Sequence, residues 1–202
     1  MSPAEIAALL AYTTAMAFTP GPNTTLAAAL AANYGLRRAL RFVVAVPFGW
    51  CLLLLASIAG LGTLVAALPA LGQVIRLLGV AYMLWLAWRL WTCVAVLPSA
   101  AEGSADFGVG FMRGVALQFV NAKAWLNALT ISATWVTVDG QTALRTAQVL
   151  PIAVAYGFAS NFTYACIGAA LRQWLTQGQR LRLFNRAMAL VLALTALWML
   201  RA

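Results

Sequence analysis

The chain lacks histidine altogether and has only four acidic residues among its 202, and charged residues make up 8% of it. A soluble domain carries roughly 25% charged residues, because polar groups must cover its surface. Hydrophobic residues instead supply 64% of this chain, and the mean hydropathy is +0.89. This balance excludes a soluble fold and predicts an all-α membrane protein without a soluble domain, since helices satisfy their own backbone groups in lipid.

Cysteine is too sparse to define a site. Cys51, Cys93 and Cys166 are isolated within or at the ends of apolar segments and form no C-x-x-C pair. Because thiolates and imidazoles are the usual zinc ligands, the sequence offers no ligand set for that metal. We therefore expect no metal site, no cofactor and no catalytic residues, and we expect the cysteines to fill space.

The few charges are mostly cationic: 13 Lys and Arg against four Asp and Glu give a net charge of +9. In a soluble protein this excess would suggest a nucleic-acid partner. Membrane proteins concentrate cations in their cytoplasmic loops, which explains the excess without nucleic acid. The lipid bilayer is therefore the expected surrounding, and no nucleic-acid partner is expected.

Apolar runs long enough to cross a bilayer, which takes about 20 residues, occur six times in the sequence. Turn residues separate them, as at Asp139–Gly140 and Gln177–Gly178. The first and fourth runs are expected to be broken or kinked. The six predicted spans are about Ile6–Tyr34, Ala39–Leu68, Val74–Val96, Phe111–Val136, Leu144–Leu175 and Leu183–Leu200.

The arginines orient these spans. Three of them, Arg76, Arg145 and Arg201, fall on one side of the membrane, and nine fall in or beside the loops of the other side. Cytoplasmic loops carry the excess of positive charge, so we expect both termini in the periplasm of a bacterium and the protein in its inner membrane. The nine cytoplasmic arginines are Arg37, Arg38, Arg41, Arg89, Arg113, Arg172, Arg180, Arg182 and Arg186.

The two halves of the chain repeat several residues in the same order. Because three spans is an odd number, a tandem copy must enter the membrane from the opposite side. The pattern predicts two inverted three-helix repeats, 1–96 and 111–202, joined through a cytoplasmic linker at 97–110 into one transmembrane domain. Many secondary transporters use this plan for alternating access. The matching pairs are Asn23 and Asn121, Gly49 and Gly157, Gly60 and Gly168, and Arg76 and Arg186.

Two prolines flank a glycine in the middle of the first span. Pro20 and Pro22 lack a backbone N–H, and their rings clash with carbonyls four residues earlier. Gly21 lets the chain leave helical dihedral angles at little cost. A break at membrane depth is tolerated where it lines a cavity or is buried in protein. The second half-helix would point unpaired N–H groups and a positive dipole end inward, which favours an anion such as an amino acid's carboxylate.

Lys123 is the only charge placed well inside a predicted span. Such a charge usually faces the bundle interior, although Lys123 could also snorkel to the cytoplasmic interface near Arg113. Facing the breaks, it would reinforce a preference for carboxylates. Asn127 and Asn161 are expected only to hold helices together. The predicted substrate-binding residues are Thr19, Pro20, Gly21, Pro22, Asn23, Thr24, Asn121 and Lys123.

No carboxylate lies inside a predicted span, since all four acids fall in termini or loops. Proton- or cation-coupled carriers often rely on an intramembrane carboxylate. Energy coupling would therefore have to run through Lys123, through backbone carbonyls or through Glu5 at the membrane edge. The four acids are Glu5, Glu102, Asp106 and Asp139.

Four stretches then carry a resemblance that covers essentially the whole chain in order. They are Phe18-Thr-Pro-Gly-Pro-Asn23, the basic turn Gly35–Arg41, Leu77–Arg89 and Phe111–Ala124. Together they resemble the LysE/RhtB family of amino-acid exporters. The resemblance implies efflux of amino acids or small derivatives from the cytoplasm, driven by the membrane gradient.

Two departures from the family pattern bear on the mechanism. The family's second motif usually reads Asn-Pro-Lys, whereas Ala122 stands here at the proline position, which leaves the fourth span either bent or broken. Many relatives carry an acid after the second-span glycine, where this chain has Trp50. The resemblance thus implies a neutral amino acid or related carboxylate and leaves proton coupling open.

Amino-acid export by alternating access is therefore the favoured function, and a homodimer is one arrangement open to the chain. The alternative is a non-transporting structural or assembly subunit, although such a subunit would not require irregular backbone at membrane depth. A membrane enzyme for thiol–disulfide exchange would need paired cysteines near the broken helices. The first and fourth predicted spans contain no cysteine, so we do not expect an enzyme.

Overall fold

The computed structural model describes residues 1–93 and 110–201, so the predicted linker at 97–110 falls, except for its last residue, outside the described residues. Within these two ranges the chain forms nine α-helices and no strand, and the expected all-α class is confirmed. Two π-helical segments, Ser57–Leu61 and Ser132–Val136, extend the third and seventh helices. The α-helices are α1 Pro3–Phe18, α2 Pro22–Tyr34, α3 Leu36–Ala56, α4 Gly62–Ala67, α5 Pro69–Trp91, α6 Phe111–Val120, α7 Ala122–Ile131, α8 Thr142–Leu175 and α9 Arg180–Arg201.

Four helical stretches of the described chain are long and apolar enough to cross a membrane: Leu36–Val65, Ala70–Trp91, Thr142–Leu175 and Arg180–Leu200. The first and sixth helices are shorter apolar helices, and each is followed by a second short helix after a break. The count of six crossings, with α1–α2 and α6–α7 each forming one broken span, stays a prediction.

The third predicted span begins earlier than expected. We placed its start at Val74, but α5 begins at Pro69. Proline is favourable in the first turn of a helix, because the N–H that it lacks would have no partner there. Pro69 therefore opens this helix.

The second helix lies at the centre of the fold. An unbroken run from Thr24 to Asn33 is buried, whereas α1 buries only Leu9 and Thr13. The principal neighbour of α2 is α8, and α3 packs against both α6 and α8. The fifth and ninth helices form a further closely packed pair. The chain is therefore packed more tightly around α2 than around α1.

Glycine permits the close approach of two of these pairs. A Cβ added at Gly168 in α8 would overlap the carbonyl of Ala28 in α2, with the carbonyl carbon 2.9 Å away. A Cβ at Gly49 in α3 would lie 2.7 Å from the Cα of Val115 in α6. Small residues at such contacts let helix backbones meet, which is how helices associate in membranes.

Replacing Gly168 by alanine is expected to destabilise the protein, because the added methyl group would overlap the backbone of Ala28. Overpacking of this kind costs about 1–3 kcal/mol of unfolding free energy. Gly157→Ala on the same helix is the matched control, since its added Cβ would meet only Pro47 Cβ at 3.8 Å. Thermal unfolding in one detergent should show a lower midpoint for Gly168→Ala alone. Equal midpoints would contradict this close packing of α2 and α8.

Candidate binding site at the helix breaks

The first break spans the residues between Phe18 and Pro22, as the two prolines predict. Gly21 has φ −167°, which is extended backbone that any residue adopts, so conformational freedom is not the reason for glycine here. A Cβ at Gly21 would instead lie 3.2 Å from Cδ of Lys123. Glycine at this position therefore makes room for the lysine side chain.

The carbonyl end of α1 is satisfied from two other helices. Nζ of Lys123 in α7 donates a hydrogen bond to the carbonyl oxygen of Thr19 at 2.7 Å. The hydroxyl of Tyr164 in α8 donates to the carbonyl oxygen of Phe18 at 3.0 Å. A cation at a helix C-terminus also interacts favourably with the helix dipole. The side chain of Lys123 thus links the second break to the first.

The second break is a single residue. Asn121 ends α6 and precedes α7 with φ −94° and ψ 106°, so the predicted fourth span is broken although Ala122 replaces proline. The side-chain oxygen of Asn121 accepts a hydrogen bond from the backbone N–H of Lys123 at 3.1 Å. The indole N–H of Trp125 donates to the carbonyl oxygen of Phe119 at 2.7 Å. Side-chain caps therefore hold the break without a second proline.

A reciprocal amide pair joins the two breaks. Nδ2 of Asn23 donates to Oε1 of Gln118 at 2.9 Å, and Nε2 of Gln118 donates back to Oδ1 of Asn23 at 3.1 Å. Gln118 is fully buried and also bonds the carbonyl of Gly114 in its own helix. Gln118 is not among the predicted site residues, although it lies only three residues before Asn121 and the second break.

The breaks border a central cavity of about 80 Å³, which is room for several water molecules. Seven of the eight predicted site residues line it. Pro20 instead lines an adjoining crevice between α1, α7 and α9, and Lys123 belongs to the walls of both. The seven in the central cavity are Thr19, Gly21, Pro22, Asn23, Thr24, Asn121 and Lys123.

The cavity is also lined by residues that were not predicted to belong to the site. Trp50 from α3, Asn127 from α7 and Asn161 from α8 all line it. Asn127 and Asn161 had been expected only to link helices, yet the side-chain amide of Asn161 donates within α8, to Gly157. The sequence does show that these polar side chains lie within predicted spans. Whether they point into the cavity depends on how helices from distant parts of the chain pack.

Glu5 lies in an ion-pair cluster at the opposite end of α1 from the breaks. Arg145 contacts Oε1 of Glu5 at 2.8 Å and Oδ2 of Asp139 at 2.7 Å. The hydrogen bond from the Ser2 N–H and the pairing with Arg145 lower the pKa of Glu5 to about 2. Glu5 therefore stays ionised at neutral pH, which argues against it as the proton carrier in this conformation.

Comparison with known proteins supplies a family. The model of the LysE type translocator family matches residues 14–202. A cysteine/O-acetylserine efflux protein of Salmonella choleraesuis is 31% identical over 195 residues, which cover 96% of this chain and 94% of the relative. A protein of the same name from Klebsiella pneumoniae is 33% identical over 182 residues, covering 90% and 91%. No solved structure matches the chain significantly.

The Glu5 cluster predicts a dependence of stability on acid. Because the pKa of Glu5 is lowered from 4.5 to about 2, its carboxylate contributes stability above about pH 4.5. This contribution is lost as the pH falls towards 2. The thermal midpoint of the wild type should therefore fall further between about pH 5 and pH 3 than that of Glu5→Gln, which retains the helix-capping hydrogen bond. Identical pH profiles would show that Arg145 does not hold Glu5 in solution.

Proposed function

The chain belongs to the LysE type translocator family, and on that premise we propose that it exports small neutral amino acids from the cytoplasm across the bacterial inner membrane. The observation that carries the proposal is the central cavity, where two broken helices and the one lysine at depth come together. The names of the relatives support the substrate class, because cysteine and O-acetylserine are both small α-amino acids without net side-chain charge.

The donors around the first break suit a carboxylate. The N–H groups of Asn23 and Thr24 lie in the first turn of α2, where a helix supplies no partner for them. Lys123 brings a positive charge to the same wall. Its ammonium group donates one hydrogen bond to Thr19 and has two further N–H donors. A carboxylate between the α2 terminus and Lys123 would receive charge-assisted hydrogen bonds and a favourable helix dipole. The proposed substrate path comprises Thr19, Pro20, Gly21, Pro22, Asn23, Thr24, Asn121 and Lys123.

The packing of the helices supports two inverted repeats of three spans, 1–96 and 111–202. The first broken span packs through α2 against α8, and the second packs through α6 against α3. In each case the first span of one half meets the second span of the other, which is the exchange that a pseudo-two-fold axis produces. Movement of one half against the other around the breaks would then give alternating access.

The arginines support an orientation with both termini in the periplasm. The guanidinium of Arg172 at the end of α8 lies 3.6 Å from a Cβ built on Gly35, at the start of α3. Arg186 in α9 lies over the ring of Trp91 at the end of α5, 5.1 Å from its centroid. Cationic segments from distant parts of the chain thus gather at one end, as cytoplasmic loops do.

In this orientation the cavity would be closed towards the cytoplasm. The buried helix α2 and the Asn23–Gln118 pair lie on the cytoplasmic side of the breaks, and the sparsely buried α1 lies on the periplasmic side. Export requires the cavity to open to the cytoplasm, so the amide pair would separate when substrate enters.

Transport by the purified protein in proteoliposomes tests the proposal. The wild type should move labelled neutral amino acids, and Lys123→Met should lower the initial rate about tenfold or more, because a hydrogen bond to a charged group contributes about 1.5–3 kcal/mol. Arg76→Met is the control, since Arg76 lines neither described cavity. If the wild type moves no neutral amino acid, or if both variants transport equally well, the proposal is wrong.

A further inference from the structure

The wall of the central cavity carries three buried polar atoms without a hydrogen-bond partner. They are Nε1 of Trp50, Oδ1 of Asn127 and Oδ1 of Asn161. Two other side-chain atoms of the described residues share this condition, on Tyr82 and Arg172, and neither residue lines the cavity. A buried polar atom without a partner costs about 1–3 kcal/mol, so native proteins leave few of them. Three around one cavity are therefore free to bind a polar ligand there.

The burial and the existing hydrogen bonds of these side chains determine which hydrogen bonds they can still make to a ligand. Asn161 is 3% exposed, and its Nδ2 already donates to the carbonyl oxygen of Gly157 at 2.8 Å, so its oxygen is the end without a partner. Asn127 follows Lys123 by one helical turn and therefore shares a face of α7 with it. Trp50 is 8% exposed and can only donate.

The wall thus offers both donors and acceptors. Lys123 and the start of α2 present N–H donors at the breaks, whereas Asn127 and Asn161 present carbonyl oxygens from α7 and α8. No acidic side chain of the described residues lines the cavity. Neutral acceptors and a cation around one cavity complement a zwitterion, whose carboxylate and ammonium need both kinds of partner without added net charge.

We propose that Asn127 and Asn161 form the subsite for the α-ammonium group of the substrate, while the N–H of Trp50 donates to an oxygen of the same molecule. The inference rests on the proposed export function and deepens it, because it assigns the end of the amino acid that Lys123 cannot bind. It also assigns a specificity: the cavity rejects carboxylates that lack an amino group.

L-Alanine and propionate test this assignment, because they differ only in the ammonium-bearing group. Each competes for uptake of a labelled neutral amino acid that the wild-type proteoliposomes transport. Alanine should inhibit the wild type at a concentration at least about tenfold lower than propionate does, since a site built for hydrogen bonds rejects analogues that lack them. In the Asn127→Ala, Asn161→Ala double variant, alanine and propionate should inhibit uptake equally well. The difference should disappear because the affinity for alanine falls while that for propionate is unchanged.

Two controls separate the outcomes. Asn161→Asp retains an acceptor at the same position and should keep the preference for alanine, and thermal unfolding confirms that each variant is folded. Thr163→Ala changes an exposed residue of α8 and should behave as the wild type. A wild type that transports amino acids but does not prefer alanine, or a folded double variant that keeps the preference, overturns the subsite alone. A wild type that transports no amino acid overturns the proposed function with it.

Discussion

The fold depends on satisfying backbone groups that two helix breaks release inside an apolar protein. In lipid or a packed interior, a carbonyl without a partner costs several kcal/mol, so a break persists only where other helices supply donors. Lys123 and Tyr164 supply them to the end of α1, and Trp125 does so at the second break.

The contact between Lys123 and Thr19 also has a consequence for binding. Under the proposed function, a substrate carboxylate would compete with a carbonyl that already holds the lysine in place, so the charge would be positioned before the substrate arrives.

The sequence predicted the features whose causes are local. The constraint on φ and the missing N–H belong to proline itself, so Pro20 and Pro22 located the first break to within a residue. The second break was left open between bent and broken, because the outcome depended on whether Asn121 and Trp125 would find backbone partners. Contacts between distant residues gave no sequence signal: Asn23 and Gln118 are 95 residues apart. For the same reason the amides of Asn127 and Asn161 were visible as polar residues at depth, but not as residues of one wall.

The central cavity uses the backbone as much as its side chains. The start of α2 provides two N–H groups whose positions are fixed by the helix, and their direction does not depend on a rotamer. Lys123, Asn127 and Asn161 then add one cation and two neutral oxygens around the same space. Because this wall combines a single formal charge with neutral acceptors, the ligand proposed for it is a small molecule with both charges rather than a cation. Under the proposed function, this combination of backbone and side-chain groups would let a chain with so few charged residues bind a charged solute.

The two breaks differ in permanence. The first is enforced by covalent rings, since no rearrangement gives Pro20 or Pro22 a backbone N–H. The second depends on the conformation of Asn121 and on the side-chain caps from Asn121 and Trp125, because Ala122 has a backbone N–H and a high helix propensity. The α6–α7 junction can therefore exchange its side-chain caps for ordinary helical hydrogen bonds, and the α1–α2 junction cannot. The two halves resemble each other in sequence but differ in the flexibility of their breaks. The break in the first half is permanent, whereas the break in the second half can convert to continuous helix.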